Sequence, residues 1–281
     1  MNNNFIIRRM RADELQIAID WAAQEGWNPG IHDAKIFYQA DPDGFFIGEI
    51  DGHAVAVGSA VVYDEHFAFC GLYIVHPDYR GQGYGMALTR ERLRYVGLRN
   101  AGIDGVVENI PIYERIGYRL AYHNIRYHGT ATVGGAANQS IVSIAQVPFP
   151  VLEAYDRHCF PSKRSRFLNT WINQDDAKAL AYIENGQLQG YAVRRQCLEG
   201  HKIGPLFADS FAIAERLFQA LQQDIPGEAI YLDIMETNPD AKRLVDAYHM
   251  QQVFITGRMY LKGRPELSEH KIFGITTFEL G

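Results

Sequence analysis

The stretch "VHPDYRGQGYGMALTRERL", Val75 to Leu93, decides how the chain is read. Gly81, Gly83 and Gly85 stand at alternate positions, behind Arg80 and ahead of a helical pattern. Lacking Cβ atoms, they let a large ligand lie against the main chain. "GLYIV" (Gly71 to Val75) reads as a buried strand before the loop, and Met86, Thr89, Leu93 and Val96 form one helical stripe after it. A strand, a glycine loop and a helix N-terminus together aim several N–H groups at an anion.

Outward from this loop the element types alternate. "FIIRRM" reads as a strand, "DELQIAIDWAAQ" as a helix closed by Gly26, and "HDAKIFYQA" as a second helix. "GFFIGEI" and "HAVAVGSAVVY" flank Asp51-Gly52, a hairpin signal, and "FAFCGLYIV" is read as one strand leading into the loop. After the loop helix come the strand "IDGVV", a short helix around "PIYERIG" and the long strand "YRLAYHNIRY". "TATVGGAANQ" (Thr130 to Gln139) is small and polar, a linker composition. The order then replays: strand "IVSIA", helices "PVLEAYDRH" and "RSRFLNTWI", and the hairpin "KALAYIE" to "LQGYAVRR" through Asn185-Gly186. A loop "IGPLFADS", a helix "FAIAERLFQALQQ", a strand "AIYLDIM", a helix in "TNPDAKRLVDAY" and a strand "VFITGRMYLKG" complete it. The expectation is a tandem duplication: residues 1–129, a linker at 130–139, and residues 140–281.

Composition narrows the function classes. The 281 residues are 47% hydrophobic and 21% charged, ordinary for a globular chain with a real core. A net charge of -6 argues against a nucleic-acid partner, because phosphates need a basic excess. No run is long enough for a signal peptide or a membrane span, so a cytoplasmic location is expected. Three scattered cysteines (Cys70, Cys159, Cys197) fit a reducing compartment. The histidines show no ligand spacing, so no metal is expected.

Three families of anion loop compete. A triphosphate loop needs Gly-Lys-Ser/Thr, which is absent, and a dinucleotide fold wants G-x-G-x-x-G rather than the G-x-G-x-G found here. "VHPDYRGQGYG" resembles the pyrophosphate loop of the GNAT (GCN5-related N-acetyltransferase) superfamily, with Arg80, Gly83 and Gly85 at its defining positions. "YERIGY" (Tyr113 to Tyr118) resembles the second landmark of that family. The resemblance covers Phe5 to about Gly129, and the rest is similar to two-domain bacterial members with a divergent second half.

The resemblance implies an α/β (α+β) fold of tandem GNAT-like domains, each a mixed, largely antiparallel sheet flanked by helices. It implies acetyl-CoA as co-substrate, held by Arg80, Gly81, Gln82, Gly83, Tyr84, Gly85 and Met86 on the loop, with main-chain groups of Tyr73, Ile74 and Val75 along the pantetheine arm. Tyr113 matches the tyrosine near the leaving sulfur, and Glu108, at the end of "IDGVVE", is the first candidate for a base. Asp64, Glu65 and His66 are rivals for that role. Glu25, Trp27 and Asn28 in "EGWNPGIHD" are candidates for the acceptor wall. In the second half "IGPLFADS" keeps only Gly204, and Pro205 lacks an N–H, so no coenzyme is expected there in the usual mode. Asp209 or Ser210 reads as the N-cap of the next helix. The expected activity is acetyl transfer to a small-molecule or amino-acid-like amine by direct attack. A protein amine, or a non-catalytic acyl-CoA-responsive binding protein, is the alternative. The second half is open to completing the acceptor pocket, forming a homodimer or binding a regulator.

Overall fold

The structure, a computed structural model, describes residues 4–133 and 138–281. The middle of the linker read at 130–139 lies outside the described residues. The first half runs β1 (Phe5–Arg9), α1 (Leu15–Gln24), α2 (Asp33–Ala40), β2 (Phe45–Ile50), β3 (His53–Ser59), β4 (Val61–Val62), β5 (Phe67–Phe69), β6 (Ile74–Val75), α3 (Tyr84–Val96), β7 (Asn100–Val106), α4 (Ile110–Ile116) and β8 (Arg119–Thr130). The second runs β9 (Ile141–Ser143), α5 (Phe149–Asp156), α6 (Ser165–Ile172), β10 (Lys178–Glu184), β11 (Gln187–Gln196), β12 (His201–Ala208), α7 (Phe211–Gln222), β13 (Ala229–Met235), α8 (Pro239–Ala247), β14 (Gln251–Tyr260) and then β15 (Ile272–Gly274). Apart from β15 the two orders repeat once β3 and β4 together are set against β11, and β5 and β6 together against β12. Both hairpins turn through left-handed pairs, Asp51-Gly52 (φ 48 and 81) and Asn185-Gly186 (φ 54 and 74).

One sheet is ordered β1-β2-β3-β6, and the other follows β4-β5-β7-β14-β8-β13-β12-β11-β10-β9. The halves therefore exchange strands. β14 from the second half lies between β7 and β8, pairing Thr256 with Val106 on one side and Ile255 with Ile125 on the other. β8 in turn pairs with β13, Leu232 opposite Tyr127. The core is shared as well: Phe37, Phe45 and Phe69 belong to the same buried cluster as Phe160, Phe167, Trp171 and Phe207. The rings of Phe37 on α2 and Trp171 on α6 stack at 6.3 Å.

Four local readings are corrected. "HAVAVGSAVVY" is not one strand: it divides at Ala60 into β3 and β4, which join different sheets. "FAFCGLYIV" divides too, because Leu72 takes a left-handed φ of 47 and turns the chain from β7 toward β3. "IGPLFADS" is no loop: residues 201–208 are strand β12, buried throughout, since β11, β13 and β15 all pair with it. On α3 the buried residues are Tyr84, Leu88, Thr89, Arg92 and Val96, while Met86 faces outward at 38% exposure. Ser210 does occupy the N-cap position of α7, but its side chain makes no capping bond.

The division of "FAFCGLYIV" opens the molecule. β5 pairs in parallel with β7 only through Asn100, Ala101 and Gly102, whereas β6 pairs with β3. Between Leu72–Val75 and Ile103–Val106 the two sheets part. The second half parts at the corresponding place, since β12 and β13 pair only at His201, Lys202 and Ile203. There β15 enters the gap, with Leu206 opposite Gly274 and Phe207 opposite Ile272, and the Ile275 N–H donates to the Asp233 carbonyl at 2.8 Å.

Candidate active site

The parting of the first half is the mouth of a cavity of about 510 Å³. One wall is Leu72, Tyr73, Ile74 and Val75; the facing wall is Ile103, Asp104, Gly105 and Val106. Among the described residues no strand pairs with the inner edge of either wall, so backbone groups of both are available to a ligand. The glycine loop forms the floor at one end, with Arg80, Gly81, Gly83, Tyr84, Gly85 and Met86 all lining the cavity.

The three glycines serve different ends. Gly81 and Gly83 are left-handed, at φ 74 and 90, and Gly83 is the N-cap of α3. Gly85 has no left-handed φ; a Cβ there would run into the Tyr73 hydroxyl, so the Tyr73 side chain would have to shift. Arg80 is held to the strand it follows: its Nε donates to the Val75 carbonyl at 2.9 Å, and its guanidinium pairs with Glu25. Gln82 does not line the cavity and donates instead to the Asp78 carbonyl at 3.1 Å.

Tyr113, on α4, lies across the cavity. Its ring rests on β7 at Gly105, where any Cβ would collide with it. Burial pushes the Tyr113 phenol above its ordinary range, against the opposing effect of Arg92. The hydroxyl therefore stays protonated and available as a donor. Arg92 is itself buried, donates to the Ser59 carbonyl at 2.7 Å and lies 5.2 Å from the Tyr73 ring centre. Glu108 sits in the turn Val107–Asn109, just past β7; it is exposed and does not line the cavity, whereas its neighbour Asn109 does. Asp64 accepts the N–H groups of His66 and Phe67 and the hydroxyl of Ser162, so it fastens a turn to the second half.

At the far end the wall comes from both halves. Glu25 and Trp27 line it as read from the sequence, and Phe254 and Thr256 on β14 join Phe278 and Glu279 beyond β15. Asn28 does not line it but clasps the second half, exchanging hydrogen bonds with the backbone of Glu199 at 2.8 and 2.9 Å. The whole α1–α2 loop is docked there. The Trp27 carbonyl accepts from Arg126 at 2.8 Å and Lys202 at 2.9 Å, and buried Asp33 pairs with buried Arg195 at 3.1 Å. Asp104 is consumed by Arg258 of β14 and by Asn124. Phe254, Thr256, Phe278 and Glu279 escape a reading of local motifs, because strand exchange brings them in. One signal was present: "KIFGITTFELG" (Lys271 to Gly281) is too apolar for a solvated tail.

Comparison with known proteins agrees with this geometry. The model of the acetyltransferase (GNAT) family matches residues 12–118, and that of the acetyltransferase (GNAT) domain matches residues 152–274. The chain is 27% identical over 270 residues to holothin acyltransferase of Pseudoalteromonas sp. (strain SANK 73390), covering 96% of this chain and 92% of that one. It is 25% identical over 219 residues to the uncharacterized N-acetyltransferase YitH of Bacillus subtilis (strain 168), covering 73% and 76%. In fold it is similar to a Pyrococcus horikoshii protein assigned as an acetyltransferase, with a TM-score of 0.85 at 22% identity, covering 100% and 97% of the two chains. A tandem GNAT protein from the clavulanic acid biosynthesis pathway superposes with a TM-score of 0.64 at 12% identity, covering 91% and 98%. The glycine loop, the parted sheet and the two matched domains have one reading: the chain belongs to the GNAT superfamily and is a tandem N-acetyltransferase.

Proposed function

We propose that the chain transfers an acetyl group from acetyl-CoA to a small-molecule amine in the cavity of its first half. The observation that carries this is the composition of that cavity: an anion loop, two unpaired strand edges, a protonated Tyr113 and an aromatic far wall share one space. The N–H groups of the loop and the N-terminus of α3 would hold the pyrophosphate, each favourable charge gaining about 0.3–1 kcal/mol from the helix dipole. The edge Tyr73–Val75 would pair with the pantetheine arm, leaving the thioester beside Tyr113. Tyr113 would then hydrogen-bond the departing thiolate and protonate it.

The far wall favours a small acceptor. Trp27, Phe254 and Phe278 present apolar ring surface, and Trp27 is fixed by two buried cations through its carbonyl. Holothin, named in one relative, is the first acceptor to test. In this reading residues 1–129 carry the reaction, and residues 140–281 complete the acceptor side without taking a coenzyme in the usual mode, since β15 lies where the arm would go. The test is thiol release from acetyl-CoA with and without an acceptor amine. Tyr113→Phe should lower kcat by about 10²-fold while acetyl-CoA affinity, measured by calorimetry, stays unchanged. Equal kcat in both proteins would remove Tyr113 from the mechanism.

A further inference from the structure

We propose that Glu279, on the segment that follows β15, takes the proton from the acceptor ammonium. This rests on the small-amine reading above and deepens it. Among the described residues three carboxylates line the cavity: Glu25, Asp104 and Glu279. Glu25 is engaged by Arg80, and Asp104 by both Arg258 and Asn124. Glu279 has no such partner: among the described residues its side chain takes one hydrogen bond, from the Thr277 hydroxyl to Oε2. Its Oε1 is left to accept a proton.

The placement is as specific as the chemistry. Glu279 is buried, at 3% exposure, and its main chain packs against Gly71, where a Cβ would run into the Glu279 carbonyl oxygen. Gly71 immediately precedes Leu72, the residue at which β5 gives way to β6 and the cavity opens. Glu279 thus stands at the root of the wall that would carry the thioester, with Phe278 beside it on the acceptor side. Glu279 acts at longer range on three buried cations, Arg126, Arg195 and Lys202, and favours their charged forms. Arg126 and Arg195 already have carboxylate partners in Asp233 and Asp33, and Lys202 donates to the Trp27 carbonyl.

The step balances. The ammonium N–H bond breaks toward Glu279 Oε1, and the freed lone pair attacks the thioester carbonyl carbon. The tetrahedral adduct expels the thiolate, which takes the Tyr113 proton as the C–S bond breaks. The proton left on the acylated nitrogen returns to the Tyr113 oxygen, and Glu279 releases its own to solvent. The products are the amide, the free thiol of CoA and one proton.

The experiment compares two small nucleophiles above their uncatalysed rates. Ethylamine is an ammonium at neutral pH and must be deprotonated; hydroxylamine is largely neutral and need not be. Glu279→Gln should lower thiol release with ethylamine by about 10²–10⁴-fold and with hydroxylamine by less than about 10-fold. Acetyl-CoA affinity by calorimetry should not change, and Glu279→Asp should recover part of the ethylamine rate. Equal losses with both nucleophiles, or loss of acetyl-CoA binding in Glu279→Gln, would mark Glu279 as a prop of the cleft and overturn the assignment. A wild type that binds acetyl-CoA but releases no thiol to either nucleophile would overturn the small-amine reading, and this assignment with it.

Discussion

Both halves part their central strands at the same place, and they differ in what enters the gap. Between β6 and β7 the edges Leu72–Val75 and Ile103–Val106 face an open cavity. Between β12 and β13 the chain inserts its own β15, whose backbone bonds to both sides. A parted sheet leaves unpaired N–H and C=O groups, and these must find partners. One half leaves them to a ligand and the other satisfies them internally. The loop that follows differs in the same sense: Gly81 and Gly83 adopt left-handed backbone before α3, while the strand β12 runs on buried almost to α7. One architecture, used twice, leaves an open groove in one half and a filled one in the other.

The largest effect expected from this comparison is at Gly83. Gly83→Asp puts a side chain where φ is 90 and a carboxylate at the N-terminus of α3. Acetyl-CoA affinity should fall by at least about 100-fold, and calorimetry on the wild type should find one site per chain. A second site in the wild type, or a site surviving in the variant, would break the contrast between the halves. A smaller effect tests the filled gap. A Cβ at Gly274 would come 2.6 Å from a Leu232 methyl. Gly274→Val should therefore cost about 1–3 kcal/mol in denaturant unfolding, with acetyl-CoA affinity unchanged. Unaltered stability would show that β15 is not seated in solution.

The smallest effect sharpens the comparison by charge. Second in the parallel ladder of the first half is Ala68, opposite Ala101; second in the other is Lys202, opposite Tyr231. Burial first, and Arg126 next, bring Lys202 down from 10.5 to about 8. Between those values the unfolded chain binds the proton that the folded chain refuses, so stability should rise with pH across that window. Unfolding free energies from denaturant titration at both ends of the window should differ more in the wild type than in Lys202→Met, by at most about 3 kcal/mol. Parallel pH profiles would place the ammonium in water.

What the sequence shows and what it hides follow from range. The hairpins at Asp51-Gly52 and Asn185-Gly186, the repeated element order and the glycine loop are local, and each is readable from neighbouring residues. The division of "FAFCGLYIV" is not. It depends on Leu72 taking a conformation unusual for a side chain of its size, held by pairing with β3 on one side and β7 on the other. The far wall is less readable still, because Phe254, Phe278 and Glu279 lie more than 170 residues from Tyr73 in the chain and no motif connects them. Glu108 illustrates the limit of motif arithmetic: one position further on, Asn109 lines the cavity while Glu108 faces solvent.

The exchange of β8 and β14 bears on how the chain is made. During synthesis β7 and β8 emerge well before residues 251–260, and the edges they turn toward β14 have no final neighbour until those residues have left the ribosome. The nearest substitute is each other, a pairing that the finished sheet forbids because β14 stands between them. Non-local pairing of this kind folds slowly and exposes strand edges while it waits. The first repeat therefore does not stand alone: cut away from the second, it would lack β14 and with it part of the wall of its own cavity.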